Sequence, residues 1–495
     1  MRISKRGLTE ITPGLPIQIP TPESFELPEK ILQFGTGVLL RGLPDHFVDQ
    51  ANKQGIFGGR IVMVKSTSRG DTAAFDAQDC VYTLCVRGLE NGDKVENYYL
   101  NNAVSRVLTA QTEWDQILAL AASPSMEIVL SNTTEVGIQL SDDDIAARPP
   151  HSFPGKLLAF LYARFLAFNG DTSSGMVIIP TELLTNNGDK LKKILFELAR
   201  QNKLSGDFLD WLDHCNTFCN SLVDRIVPGK LPAPEQKIIE EKLGYTDELM
   251  ISAEPYSLWA IEAPDEKTEK VLSFAAAAPG IVLSGDISKH RELKLRLLNG
   301  THTFSCALAF LSGFSTVGEA MENESFSGFV KDLMTREITP AVTGADITEQ
   351  EALAFAARLR DRFRNPFIVH EWLSISMQYT FKMRMRNIPL ILAHYRKRSA
   401  PPEAMARGFA AYLFFMRSER DADGNFHGSF GDKHYLIQDE FAESLYEAWS
   451  THPDNPAPTL LADESLWGTD LTILPGFLDT VGNNLHKWIE QAATV

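Results

Sequence analysis

The stretch "KLRLLNGTH", residues 294 to 302, sets Lys294, Asn299 and His302 at offsets of zero, five and eight among leucines. An ammonium, a carboxamide and an imidazole can pass protons and polarise an oxygen, so the trio is a candidate for acid–base work on a bound polar group. On an α-helix turning about 100° per residue, Lys294, Asn299 and His302 fall at about 0°, 140° and 80°, while Leu293, Leu297, Gly300 and Phe304 gather at about 240° to 300°. The polar trio therefore has a face of its own. The pattern alone leaves a solvated helix face open beside a catalytic one, because Lys294 and His302 would stand about 12 Å apart along such an axis.

A second candidate lies near the N-terminus. "ILQFGTGVLLRG", residues 31 to 42, reads as a strand, a glycine pair and a helix start. Gly35 suits a tight turn, and Gly37 would let the backbone approach a pyrophosphate at a helix N-terminus, where unpaired N–H groups favour negative charge. Leu40 stands where the dinucleotide fingerprint has a third small residue, so a plain turn stays open, and Arg41 is a candidate phosphate contact. The next strand, "RIVMV", runs into Lys65, Ser66, Thr67, Ser68 and Arg69 before the first acid at Asp71. An acid at that strand end is what would hold a free ribose hydroxyl. NAD and NADP are therefore both open on chemistry, with Lys65 and Arg69 able to meet a 2'-phosphate and Ser66 among the cofactor-binding candidates. "SNTTE", residues 131 to 135, places Asn132 and Thr133 where such a sheet usually meets nicotinamide, although a capped turn fits equally.

These candidates need elements to hold them. Apolar runs at "KILQF", "RIVMV", "MEIVL", "MVIIP" and "GIVLSG" alternate with amphipathic stretches through the first half. The expected class is α/β there, a doubly wound sheet of buried parallel strands. From about Asp286 the texture changes to long helical patterns such as "AVTGADITEQEALAFAARLRDRF" and "PEAMARGFAAYLFFMRSER", with no obvious strand. The predicted organisation is a Rossmann-type domain over residues 1–285 and a mostly α-helical domain over 286–495.

Composition narrows the setting. The chain has 495 residues, 44% of them hydrophobic, and no run of about 18 apolar residues that would cross a membrane. No apolar segment follows the basic "MRISKRG" start, so a soluble cytoplasmic protein is expected. Five scattered cysteines imply no disulfide framework, and "HCNTFC" lacks the second ligand pair a structural zinc would need. A net charge of -17 disfavours nucleic acid and anionic membrane as partners. Any anionic ligand must then meet a local basic cluster. Oligomeric state is not readable.

"LKLRLLNGTH" resembles the K-x4-N-x2-H signature of the mannitol dehydrogenase family, the polyol-specific long-chain dehydrogenases. "ILQFGTGVLLRG", "QDCVYTLCVRG", "SNTTEVG", "IIPTELLTNNG", "SLVDRIVPG" and "RFRNPFIVHEWLSIS" resemble that family's blocks in its order, over most of the chain. Within it, "SNTTEVGI", "VDRIV" and "RFRNP…LSIS" are most similar to the tagaturonate reductases, also called altronate oxidoreductases. The resemblance implies reduction of the keto group of D-tagaturonate to D-altronate with NADH as cofactor and no metal. It also implies Lys294 as acid/base, Asn299 and Asn187 as amide donors to the carbonyl, and His302 and Asp224 as holders of substrate hydroxyls. Charge building on a reduced carbonyl oxygen is what preorganised amides stabilise and an ammonium quenches.

Two departures from mannitol-type members stand out. Glu182-Leu183 replaces their Asp-Asn, and Arg291 replaces a glutamate ahead of the lysine, which leaves open whether Glu292 acts in a proton relay. Asp224 beside Arg225 also reads as an ion pair, and Asn187 before Gly188 as a turn. For the substrate carboxylate, "FKMRMR" offers Lys382, which aligns with a family lysine near the substrate, followed by Arg384 and Arg386 at alternating spacing. The alternatives are a mannitol-type dehydrogenase of fructose, fructuronate or fructose 6-phosphate, and a dinucleotide-binding protein that has lost its chemistry.

Overall fold

The computed structural model describes residues 1–492 except 12, 13, 16, 68, 69 and 134–136. The chain divides into two units, Met1–Arg87 with Lys94–Ile287, and Gly88–Asp93 with Ser288–Val495.

The first unit is built on a six-stranded sheet of Glu29–Phe34 (β1), Arg60–Lys65 (β2), Val104–Thr109 (β3), Ile128–Ser131 (β4), Val177–Pro180 (β5) and Thr217–Phe218 (β6), in the order β3-β2-β1-β4-β5-β6. Every neighbouring pair is parallel. That order reverses direction of winding between β1 and β4, the place where doubly wound sheets leave a crevice beyond the carboxyl ends of their strands. The central strands β1, β2, β4 and β5 are predominantly apolar because both faces are covered. Ile31, Ile61, Met63, Ile128, Leu130 and Ile179 enter one core, and Leu32, Phe34, Val62, Val64, Val129 and Ile178 enter the other.

The expected strand at "GIVLSG" forms but lies outside this sheet. Ile281–Ser284 pairs in parallel with Leu258–Glu262, which is antiparallel to Ser221–Asp224, in a separate three-stranded sheet. A short apolar run states that a strand is buried and leaves its neighbour unspecified.

The second unit is mostly helical, as its texture predicts. Glu349–Phe363 starts at a capping box in which Thr348 accepts from the Glu351 backbone and the Glu351 carboxylate reaches back. Contrary to expectation it also carries an antiparallel meander of Ser418–Arg420, Phe426–Phe430 and Lys433–Ile437. These strands are short and half exposed, so they leave little hydrophobic signature. The helix Thr301–Leu311 is buried along its whole length and packs on Glu403–Phe415. Gly408 permits that approach, since a Cβ there would stand 2.5 Å from the Phe304 carbonyl oxygen. The Tyr379 hydroxyl clamps the same helix, donating to Thr303 O at 2.7 Å and accepting from Ala307 N at 2.9 Å.

Three stretches of this unit, Lys294–Gly300, Leu333–Ile338 and Met383–Asn387, are π-helical, and the first packs on each of the other two. Such segments are rare and cluster at functional sites.

Candidate active site

In the first unit the candidate residues line the carboxyl ends of the strands. Gly35 follows β1 with φ +131°, and a Cβ there would meet Leu40 Cδ1 at 2.9 Å and Asn132 O at 3.1 Å. The glycine therefore supplies both a left-handed backbone and a close approach of the turn to the loop after β4. Gly37 caps Val38–Gly42, and a Cβ built on it meets nothing within 4 Å. That leaves open space above the turn, which fits a dinucleotide pyrophosphate. Ser66, just past β2, has a buried hydroxyl with no hydrogen-bond partner among the described residues. Lys65 spends its ammonium on Thr67 O at 2.6 Å. Arg69 lies outside the described residues.

Two expected roles change here. Arg41 is buried inside the unit, where it donates to Leu249 O at 2.8 Å and lies against the Phe75 and Tyr82 rings, so it braces the fold and offers no phosphate contact. Asn187 is fully buried and its carboxamide is committed to backbone. Its nitrogen lies 2.9 to 3.1 Å from the carbonyls of Pro180, Glu182 and Ser221, and its oxygen accepts from Gly188 N at 3.0 Å and Ser221 N at 2.9 Å. A carboxamide has two N–H donors, so none remains for a substrate carbonyl. The residue clasps the end of β5 to the strand Ser221–Asp224.

Glu182, read in the sequence only as a departure, is the organiser of the loop after β4. Its carboxylate is buried and accepts from Thr133 N at 2.8 Å, Thr133 Oγ1 at 3.0 Å and Ser131 Oγ at 3.1 Å. Burial raises its pKa, and these donors counter the rise. Asn132 points its amide at Thr181, 3.1 Å from the carbonyl and 3.0 Å from the hydroxyl, which ties the same loop to the end of β5. Asp224 is buried at the end of its strand. Its neighbour Arg225 donates to the Gly42 and Glu254 carbonyls.

In the second unit the π register changes the geometry of the opening trio. A π-helix bonds i to i+5 and turns about 80° per residue, so over Lys294–Gly300 Asn299 comes to about 40° on one side of Lys294 instead of 140°, and His302, two α-helical residues further on, to about 40° on the other. The insertion gathers onto one face three side chains that an α-helix would spread. Lys294 and Asn299 are half-buried. Glu292 is taken by Arg296 at 2.9 Å, and Arg296 also holds the carbonyls of Met385 and Arg386 at 2.8 Å each.

His302 is buried, stacked on Phe363 with ring centroids 4.3 Å apart and met edge-on by His370 at 5.3 Å. Its Nε2 is buried without a hydrogen-bond partner among the described residues. Burial holds its pKa well below the usual histidine value, assisted by His370, Arg362 and Arg386, so the ring is neutral. An orphaned ring nitrogen of this kind is fitted to a ligand hydroxyl.

Lys382 is half-buried and donates to Ile375 O at 2.9 Å, its pKa lowered by burial and by Arg386. Arg384 turns away, donating to Ser465 O at 3.2 Å, and is no part of this cluster. Arg386 replaces it, with Nη1 3.3 Å from Thr303 Oγ1. The helical phase explains the exchange. Residues four apart share a face and residues two apart oppose each other. Alternating spacing alone does not distinguish the two arginines. His370 has no sequence spacing that ties it to His302, and only the fold brings the two rings together.

A profile described as the mannitol dehydrogenase Rossmann domain matches residues 29–272, and one described as the mannitol dehydrogenase C-terminal domain matches 286–489. The chain belongs to the mannitol dehydrogenase family. Among its relatives in that family, the altronate oxidoreductase of Halalkalibacterium halodurans is 37% identical over 480 residues, 95% of this chain and 92% of the relative. The altronate oxidoreductase of Bacillus subtilis is 35% identical over 94% of this chain and 95% of its own. The solved ternary complex of Pseudomonas fluorescens mannitol 2-dehydrogenase with NAD and D-mannitol covers 100% of this chain and 98% of its own at 22% identity and a TM-score of 0.68, a likeness of fold. The protein is therefore a mannitol dehydrogenase-family oxidoreductase, an enzyme of the polyol and sugar-acid dehydrogenase kind. Among the described residues no helix is long and apolar enough to cross a membrane.

Proposed function

We propose that this enzyme reduces D-tagaturonate to D-altronate, reversibly, with NAD(H). The observation that supports the chemistry is the π segment Lys294–Gly300 running into the helix of His302, a register that brings the ammonium, the carboxamide and the neutral imidazole toward one face. The similarity to altronate oxidoreductases along nearly the whole chain supports the substrate.

Gly35, Gly37 and Ser66 would hold the dinucleotide, with the loop of Asn132 and Thr133 fixed by Glu182 beside them. When bound, NADH supplies the hydride. Lys294 gives its proton to the keto oxygen as that oxygen becomes an alcohol, and takes one back in the oxidative direction. Asn299 makes no side-chain hydrogen bond among the described residues, which leaves its amide N–H to the same oxygen, where a preorganised dipole is worth most. With Asn187 committed to backbone, Asn299 carries that part alone. On this reading His302 holds a substrate hydroxyl, and Lys382 stands beside Arg386 at the acid end.

The test is a steady-state comparison of kcat/KM for tagaturonate, fructuronate, fructose and fructose 6-phosphate, with NADH and NADPH. Tagaturonate with NADH ranks first on this reading. A preference for fructose, or for NADPH, overturns it.

A further inference from the structure

We infer that Arg386 is the residue that recognises the substrate carboxylate and so separates a sugar acid from a neutral sugar, an inference that rests on the sugar-acid reading above. The protein is strongly acidic overall, with 64 aspartates and glutamates against 47 lysines and arginines. Arg386 is nonetheless left without a carboxylate. Among the described residues no Asp or Glu oxygen lies within ion-pair distance of its guanidinium, and its one side-chain hydrogen bond is the long contact to Thr303 Oγ1. Burial lowers its pKa to about 10.

Among the described residues no acid acts to raise the pKa of Arg386, although Lys382 beside it also feels Asp439. Lys382 and His302 both feel Arg386 as a cation that disfavours their protonated forms. Setting a guanidinium in a half-dry place beside a lysine and a neutral histidine is unfavourable unless an anion completes the set. A guanidinium presents five N–H donors in a planar fork that matches a carboxylate, and here at most one is used.

The fork is also held in place. Arg296 pins the Met385 and Arg386 carbonyls, and the segment Met383–Asn387 packs on Lys294–Gly300. Thr303, which meets Arg386, follows His302 directly and donates to Asn299 O at 2.8 Å. A substrate whose hydroxyl reaches His302 thus has its acid end offered to Arg386. Arg384, whose guanidinium lies at Ser465 and near Gly468, serves as the internal control.

The experiment compares wild type with Arg386→Met, Arg386→Lys and Arg384→Met. The substrates are tagaturonate and tagatose, which carries CH2OH where tagaturonate carries the carboxylate. Calorimetric binding of D-altronate and of altritol to the NADH-loaded enzyme gives a readout free of turnover, and thermal melts report folding. In Arg386→Met the selectivity for acid over neutral ligand should fall by about 10- to 100-fold, the loss of hydrogen bonds between charged groups, chiefly through KM. Arg386→Lys should recover part of it, and Arg384→Met should keep the wild-type ratio. Equal losses for tagaturonate and tagatose, or an unchanged ratio, overturn the assignment. Faster wild-type reduction of fructose than of tagaturonate overturns the parent reading instead. The altronate-to-altritol binding ratio then still decides whether Arg386 reads a carboxylate.

Discussion

Asn187→Ala tests whether that asparagine clasps the fold or serves the carbonyl. The substitution strips the acceptor from two buried backbone N–H groups, Gly188 at 3.0 Å and Ser221 at 2.9 Å, and the donors from the carbonyls of Pro180, Glu182 and Ser221. The carbonyls have second lone pairs and partial substitutes, since Ser221 Oγ already donates to Pro180 O at 2.6 Å. The two N–H groups have none. At about 1 to 3 kcal/mol for each buried group left unsatisfied, the cost is about 2 to 6 kcal/mol. For a unit of this size roughly 2 to 4 °C accompanies each kcal/mol, so the melting midpoint should fall by at least about 4 °C. The assay is a thermal melt with and without NADH, beside kcat for tagaturonate at a temperature where the variant is folded. A midpoint within about 1 °C of wild type together with a hundredfold loss of kcat would refute the clasp and return the residue to the carbonyl.

The turn and a buried acid give two further expectations. Gly35→Ala forces a Cβ onto a backbone at φ +131° and against Leu40 and Asn132. Strain of about 1 to 3 kcal/mol should weaken NADH binding by roughly 5- to 100-fold in a fluorescence titration, and wild-type affinity would contradict that role for the turn. Burial raises the Asp45 carboxyl to about 8, so the folded state holds a proton that the unfolded chain releases near 3.8, and wild-type stability falls as pH rises between them. Asp45→Asn removes that titration, so its stability relative to wild type should rise by about 2 kcal/mol from pH 6 to pH 8 in urea melts, whereas parallel profiles would show that Asp45 is ionised throughout.

The parts of the fold that the sequence discloses are those whose physics repeats along the chain. Strands β1, β2, β4 and β5 are buried on both faces, so Ile31, Val62, Leu130 and Ile179 belong to predominantly apolar runs that need no partner to be recognised. The run at Ile281 has the same texture and pairs elsewhere, because pairing is decided by segments far away in sequence. The half-exposed meander from Ser418 to Ile437 gives no such run. At the site, the identities of Lys294, Asn299 and His302 are plain but their common face is not. An i to i+5 register leaves no mark in composition, and helical angles computed for an α-helix spread them apart. Asn187 and Arg41 show the same limit from the other side. Both have the right type for their expected roles, and what they touch depends on Ser221, Leu249 and Tyr82, which only folding brings near.

Lys294→Met tests the central claim most directly. It removes the proton donor and keeps most of the apolar stem, so the thermal melt and the NADH titration should stay close to wild type. Loss of a positioned acid typically lowers the rate by about 10²- to 10⁴-fold, and kcat for tagaturonate reduction should fall by that much. A variant that keeps more than about a tenth of wild-type kcat would contradict the account, because it would place the proton donor elsewhere.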